Sequence, residues 1–478
     1  MLFTSPIFIM IFLPIVVLVY LLINNKFRNN WLLISSIVFY SWSGVQYMML
    51  LLILVAVNYF LGLLTPTSKV KRTQKIILTI SLVINFGTLA FFKYFNFFIS
   101  NIENFVHIFN PSFTFDAPNI PLPIGISFFT FQIASYLLDV YWGKIKPQKN
   151  ILVIALYMTL FPPFIAGPII RYFDIESQIL NRKLNSSLFA EGIERFCYGF
   201  AKKVLIANNV GAAAEAIINQ PQNYSSPACW LGIICYALQI YFDFSGYSDM
   251  VIGMGKMFGF TFLENFNYPY ISKSIREFWK RWHISLSSWF KDYLYIPLGG
   301  SRNGAFCTYR NLILVFLLTG FWHGANWNFV AWGLWHGVFL IIERVFSGLF
   351  SRIPSVLAHI YTILVILAGW VLFRAESLES GVIYLKYMFI PTLANWDAHL
   401  PLMDIEFIFY LFVGIALSAP IFPKVRDIIV NKCSATRFAL AGSFANTTLR
   451  RLFALCMFFL STLYMVSASF NPFIYFRF

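Results

Sequence analysis

Long uncharged stretches recur along this chain. Residues 1–25, 31–68, 117–138, 150–170, 216–242, 311–342 and 353–373 contain no Asp, Glu, Lys or Arg, and further apolar runs lie at 76–92, 407–423 and 452–475. A helix needs roughly 20 residues to cross the hydrocarbon core of a bilayer. Every backbone polar group must be satisfied there, so these runs predict helices; the two-residue alternation of a membrane barrel is absent. Run 31–68 is too long for one untilted crossing and predicts a hairpin turning near Ser43 and Gly44. Residues 243–310 are the most polar long region, yet rich in aromatics. They predict amphipathic or re-entrant helices, not plain spans.

Composition supports this pattern. Of 478 residues, 59% are hydrophobic and only 12% charged, against about 25% charged in a soluble domain. The 55 Phe, 25 Tyr and 13 Trp suit a lipid core and its interfaces. The first run lacks a basic leader and a small-residue cleavage site, so it reads as a retained helix, not a signal peptide. The fold class is therefore all-α and polytopic, with about 11–13 transmembrane or re-entrant helices. The expected organisation within one membrane domain is N-terminal helices over 1–120, a central core over 121–345 and C-terminal helices over 346–478.

The net charge of +15 does not call for nucleic acid. Its basic residues cluster between apolar runs, at Lys26/Arg28, Lys69/Lys71/Arg72/Lys75, Lys144/Lys146/Lys149 and Lys202/Lys203, as the positive-inside rule expects. Placing these clusters in the cytoplasm puts the N-terminus outside. The loop with Glu103 and Asp116, which has no Lys or Arg, also falls outside. The six cysteines form no C-x-x-C pair and argue for neither a metal site nor a disulfide framework. No internal repeat is evident.

Ionisable groups in apolar segments are costly and are functional candidates by default. His323 stands foremost, in Gly320-Phe321-Trp322-His323-Gly324-Ala325-Asn326-Trp327. An imidazole with an ordinary pKa near 6.5 can act as a general base; the alternative is a histidine hydrogen-bonded between helices for packing. A second cluster is Glu277-Phe278-Trp279-Lys280-Arg281-Trp282-His283. On one helix, Trp279, Trp282, His283 and Leu286 would share a face, with Lys280, Arg281 and Lys291 supplying charge for phosphates of a donor or of lipids; plain anchoring is the competing reading. A third runs through Tyr293, Tyr295, the Gly299-Gly300 turn and Arg302, without a phosphate-loop pattern. Asp243, Ser245 and Asp249 follow an uncharged run; the two aspartates can orient a histidine or form ion pairs, the latter being favoured. The last cluster is the Pro/Gly-interrupted stretch 122–132, ending in Gln132, with similar breaks at Pro162-Pro163 and Gly167-Pro168. Such irregularity lines cavities. His336 reads as structural, and His107, His359 and His399 receive no role.

Several of these runs carry a family signature. Phe278-Trp279-Lys280-Arg281-Trp282-His283, Asp292-Tyr293-Leu294-Tyr295-Ile296-Pro297-Leu298-Gly299-Gly300 and Gly320-Phe321-Trp322-His323-Gly324-Ala325-Asn326-Trp327 resemble the membrane-bound O-acyltransferases. The likeness is to the bacterial branch acting in alginate or peptidoglycan O-acetylation. Tyr241–Asp249, Pro121–Gln132 and Phe164–Arg171 fit that branch too.

The resemblance implies an O-acetyltransferase of the bacterial inner membrane, with acetyl-CoA as donor substrate and no cofactor or metal. His323 and His283 would be catalytic. Trp322, Asn326, Lys280, Arg281, Trp282, Tyr293, Tyr295 and Arg302 would bind the donor or the oxyanion, with Asp243, Ser245, Asp249 and Gln132 in support. It also implies a periplasmic SGNH-type transferase partner and a glycan acceptor. The alternatives are D-alanyl transfer to teichoic acid, a transporter or flippase, and a scaffold that only docks a soluble transferase.

Overall fold

A computed structural model describes residues 1–67, 70–113, 115, 118–165, 167–390, 404–421, 425 and 439–467. Lys69, Asp116, Ala166, His399 and Cys433, together with the ends of the runs at 407–423 and 452–475, lie outside the described residues. Among the described residues every regular element is helical. Six helices among the described residues are long and apolar enough to cross a membrane: Val45–Pro66, Lys71–His107, Ser226–Met257, Gly304–His323, Ser355–Arg374 and Thr447–Ser467. Phe8–Leu22 and Ile405–Leu417 are shorter apolar helices.

The chain divides into two compact units. The first comprises Met1–Phe189, Gly255–Leu263 and Trp322–Asn326, and the second Ala190–Met254, Glu264–Phe321 and Trp327–Phe478.

In the first unit, α1 (Leu13–Leu22) leads to the hairpin of α2 (Arg28–Ser41) and α3 (Val45–Thr67). The hairpin turns where expected, at Gly44 with φ +130°, a conformation that suits glycine. α4 (Lys71–His107) has 37 residues, about 55 Å at 1.5 Å per residue and well beyond a bilayer core. α5 (Ile126–Tyr141), α6 (Ile151–Thr159), α7 (Phe161–Phe164) and α8 (Tyr172–Asn181) complete it. Runs 117–138 and 150–170 thus give helices of 16, 9 and 4 residues, not full spans. Gly125, with φ +78°, starts α5, and a Cβ there would press on the Phe164 carbonyl at 2.8 Å. Pro162 and Pro163 occupy the start of α7, the position where a missing N–H costs nothing. Residues 255–263 join this unit through Arg182, whose guanidinium donates to the Tyr20 hydroxyl and the Phe258 carbonyl, both at 3.0 Å, while Tyr20 donates to Phe258 O at 2.6 Å.

The second unit holds most of α9 (Ser186–Ala201), from Ala190 on, with α10 (Asn208–Asn219), and is built around α11 (Ser226–Met257). The most apolar stretch of α11 is 83% buried, against 22% for that of α4; α11 is a protein-surrounded core helix, whereas the most apolar stretch of α4 is largely left uncovered by the protein. Close approach of α9 and α11 rests on glycine. A Cβ at Gly199 would lie 2.5 Å from Gly246 O, and one at Gly253 2.7 Å from Gly192 O. Small residues let helix backbones pack this closely in membranes. α11 runs on through Asp243 and Asp249, so the broken polar region starts after Met257. There lie α12 (Ile275–Arg281), α13 (Ile284–Phe290) and a π-helical turn over Lys291–Tyr295. α14 (Gly304–His323) and α15 (Trp327–Val345) divide run 311–342 at residues 324–326. α16 (Ser347–Phe350), α17 (Ser355–Arg374), α18 (Leu378–Phe389), α19 (Ile405–Leu417) and α20 (Ala439–Ser467) follow.

Candidate active site

His323 is the last residue of α14, and its exposure is only 6%. Two glycines fix the course of the helix just before it. A Cβ at Gly320 would collide with the Phe329 carbonyl, and one at Gly333 with the Phe316 carbonyl. α14 and α15 therefore touch backbone to backbone at reciprocal positions. The space beside Gly320 is thus filled by a neighbouring helix.

Around His323 the first unit supplies an aromatic wall. The Trp322 ring stacks on Phe131 at 5.3 Å, meets Phe128 edge-on at 5.4 Å, and stands 4.9 Å from the His323 ring. Phe128 and Phe131 come from α5, within the interrupted stretch that also carries Gln132. Gln132 is buried, and its carbonyl accepts from Tyr157 at 3.2 Å. Asn326 is half-buried in the turn after His323. The interrupted stretch and the His323 motif, far apart in sequence, thus meet.

A residue the sequence reading passed over joins them. Lys93 of α4 donates to the carbonyls of Trp322, at 2.5 Å, and His323, at 3.0 Å, and to Ser127 Oγ at 3.4 Å. The signal was present: between Lys75 and Glu103, Lys93 is the sole Asp, Glu, Lys or Arg. It directly follows the apolar run 76–92, and the sequence pattern assigns it no role.

His283 is built differently. The expected continuous helix through Trp279, Trp282, His283 and Leu286 does not form: α12 ends at Arg281, α13 starts at Ile284, and His283 sits between them with φ +43° and ψ +55°. This left-handed conformation is uncommon outside glycine and worth attention in a non-glycine residue. Asn265 holds the turn. Its Oδ1 accepts from Ser285 N at 3.1 Å and Ser285 Oγ at 2.9 Å, and stands 3.2 Å from His283 Nδ1. Its Nδ2 donates to Ser248 Oγ at 3.2 Å.

The backbone N–H of Ser285 can only donate, which fixes the Asn265 amide orientation, and His283 Nδ1 must then carry the hydrogen. Nε2 keeps the lone pair. The ring lies edge-on to Phe244 at 4.7 Å, and burial pushes the imidazole down to about 3. It stays neutral at physiological pH.

The segment before His283 is anchored at both ends. Ser274 Oγ caps the helix start, accepting from Glu277 N at 3.0 Å, while Glu277 accepts from Lys273 N, the residue before the cap, at 2.9 Å. Glu343 of α15 accepts from Ile275 N at 2.6 Å and Arg276 N at 3.2 Å. Arg281 pairs with Glu277 at 2.9 Å. Trp282 and Tyr293 are buried, Tyr295 is half-buried, and Lys280 and Arg302 are exposed.

The aspartates form ion pairs. Asp243 meets Lys203 at 2.7 Å; Asp249 meets Lys202 at 2.7 Å and Arg195 at 2.6 Å. Ser245 is buried on the same helix. His336 packs among rings, 5.2 Å from both Trp279 and Trp332. Among the described residues, no three His, Cys, Asp or Glu side chains are grouped to hold a metal ion.

Residues 145–382 match the model of the membrane-bound O-acyltransferase family. The protein of Pseudomonas aeruginosa named "Probable alginate O-acetylase AlgI" is 45% identical over 381 residues, 79% of this chain and 73% of the relative. Its namesake in Azotobacter vinelandii is 39% identical over 506 residues, covering all of both chains. This chain belongs to the membrane-bound O-acyltransferase family. The "Peptidoglycan O-acetyltransferase" of Helicobacter pylori is 38% identical over 424 residues, 81% of this chain and 80% of that one. The chain is thus a multi-pass membrane enzyme of O-acyl transfer. Within this O-acyltransferase, His323, His283 and the stretch joining them fall inside the family match, whereas Lys93 falls outside it.

Proposed function

We propose that this enzyme moves an acetyl group from a cytoplasmic thioester, acetyl-CoA, to a hydroxyl of an extracytoplasmic polysaccharide or of peptidoglycan, with His323 as the general base. The observation that carries the reading is the setting of His323: a buried imidazole at the end of an apolar helix, walled by Trp322 and held by its backbone. In support, relatives similar over most of their length are named for alginate and peptidoglycan O-acetylation.

In this reading a hydroxyl attacks the thioester carbonyl while His323 takes its proton. The C–S bond breaks, a C–O ester bond forms, and the proton passes from the imidazole to the departing thiolate. A two-step variant, in which His323 first accepts the acetyl group itself, has the same balance. The indole N–H of Trp322 and the amide of Asn326 are the donors for the tetrahedral oxyanion. His283 has its lone pair on Nε2 and resists protonation, so in our reading it accepts a hydrogen bond from a substrate hydroxyl and orients it, leaving proton transfer to His323. Exposed Lys280 and Arg302 offer charge to the donor's phosphates. Where the first hydroxyl belongs to a carrier or to the partner, a transferase of SGNH type outside the membrane then passes the acetyl group on: the first C–O ester bond breaks, a C–O bond to the glycan hydroxyl forms, and the glycan's proton returns to the first hydroxyl.

His323→Ala tests the reading. In cells where the variant reaches wild-type membrane abundance, glycan-bound acetate, released by mild base, should fall to background. Membranes supplied with acetyl-labelled acetyl-CoA should likewise leave the glycan fraction unlabelled. Acetylation at the wild-type level in the variant would overturn the assignment. Labelling of teichoic acid by D-alanine instead of acetate would overturn the substrate class.

A further inference from the structure

We infer that Lys93 is the positioning residue of the catalytic histidine, a fixed cation that holds the last turn of the His323 helix in its working orientation. This inference rests on the reading of His323 as the base. α14 ends at His323, so its last carbonyls have no partner within the helix. They carry the negative end of the helix dipole. In an apolar surrounding, unsatisfied carbonyls are strongly disfavoured. Lys93 meets two of them, at Trp322 and His323, and its third donor reaches Ser127 Oγ. The ammonium also lies 5.8 Å over the Trp322 ring, within the range of an attractive cation–π contact.

The chain can turn away at residues 324–326 immediately after His323 because this cap replaces the bonds a continuing helix would have made. α4 is braced for the task. Three residues on from Lys93, Asn96 donates to Asn119 Oδ1 and Ile120 O, each at 3.1 Å, and accepts from Ile120 N at 3.3 Å. The same helix face thus holds the approach to the interrupted stretch that supplies Ser127, Phe128 and Phe131. One helix fixes both the histidine backbone and the wall beside it. Lys93 touches backbone carbonyls and not the imidazole, so it acts through His323.

Lys93→Met keeps the length of the side chain and removes its three donors. Lys93→Arg keeps a cation that can reach paired carbonyls. Glycan-bound acetate per mole of membrane-inserted enzyme should fall at least tenfold in Lys93→Met and recover to within threefold of wild type in Lys93→Arg. The midpoint of thermal aggregation in detergent should differ by only a few degrees among the three. Lys93→Gln, whose amide still donates without charge, serves in the same assay if Lys93→Met does not accumulate, with an intermediate activity expected. Wild-type activity in Lys93→Met or Lys93→Gln while His323→Ala is inactive would overturn this inference and leave the base assignment intact. Activity in His323→Ala would instead remove the reading on which it rests. A loss that Lys93→Arg does not restore would mark a general packing role and also overturn it.

Discussion

At His283 the sequence marked a candidate residue but concealed its geometry. The aromatic spacing around it fits a helix, yet the backbone breaks into the left-handed region at this residue. The reason is a hydrogen-bond set centred on Asn265, eighteen residues upstream, which no local pattern reveals. Two substitutions separate backbone from imidazole. Asn adopts this conformation more readily than other residues, so His283→Asn should melt within a few degrees of wild type but lose most acetylation if the ring is used. His283→Ala carries the left-handed penalty, roughly 1–2 kcal/mol, and should melt lower. Full acetylation in His283→Asn would remove His283 from the reaction.

Acid gives a second readout. The folded enzyme holds His283 neutral down to about 3, whereas an unfolded histidine protonates near 6.5. Between those values the unfolded chain binds more protons, so stability is lost as pH falls below about 6.5, at up to roughly 1.4 kcal/mol per pH unit. Wild-type thermal midpoints in detergent should therefore drop from pH 7 to pH 5 more steeply than those of His283→Asn.

Apolar runs located the elements well and bounded them poorly. The turn at Gly44, the long helix from Lys71 and the broken polar segment all follow from the pattern. Runs 117–138 and 150–170 did not become spans, because Gly125 and the prolines of α7 interrupt helices that protein, not lipid, surrounds. Run 311–342 hid a break, since Gly324, Ala325 and Asn326 carry no charge to mark it. On either side of that break the helices touch backbone to backbone, Gly320 against Phe329 and Gly333 against Phe316. Gly320→Val must push α15 away, overpacking that costs about 1–3 kcal/mol, and it displaces the turn that carries His323. Membrane abundance, thermal midpoint and acetylation should all fall. Gly87→Ala, where nothing lies within 4 Å, should keep all three. An unchanged midpoint in Gly320→Val would show that the two helices do not depend on this approach.

For the molecule as a whole, membrane residence was plain from composition, but the two units were not, because each is discontinuous in sequence. Residues 255–263 and 322–326 join the first unit through Arg182 and Lys93, two cations whose partners only three-dimensional contacts disclose. In the second unit the corresponding element is α11, which carries carboxylates through its buried length. Lys203 and Asp243 are exposed by only 3% and 2% at their side chains, and meet at 2.7 Å; Lys203 also donates to Asn208 Oδ1 at 2.8 Å. A buried pair of this kind adds little net stability over an apolar replacement, yet removing one partner leaves an uncompensated charge that costs about 3–5 kcal/mol. Lys203→Met alone should therefore sharply reduce membrane-inserted enzyme. Lys203→Met combined with Asp243→Asn should recover much of it, because neither charge then remains. Acetylation per mole in the recovered double variant decides what the pair is for. Retained activity assigns Asp243 and Lys203 to the assembly of α11, the ion-pair role favoured from sequence. Lost activity at normal abundance assigns Asp243 to the reaction.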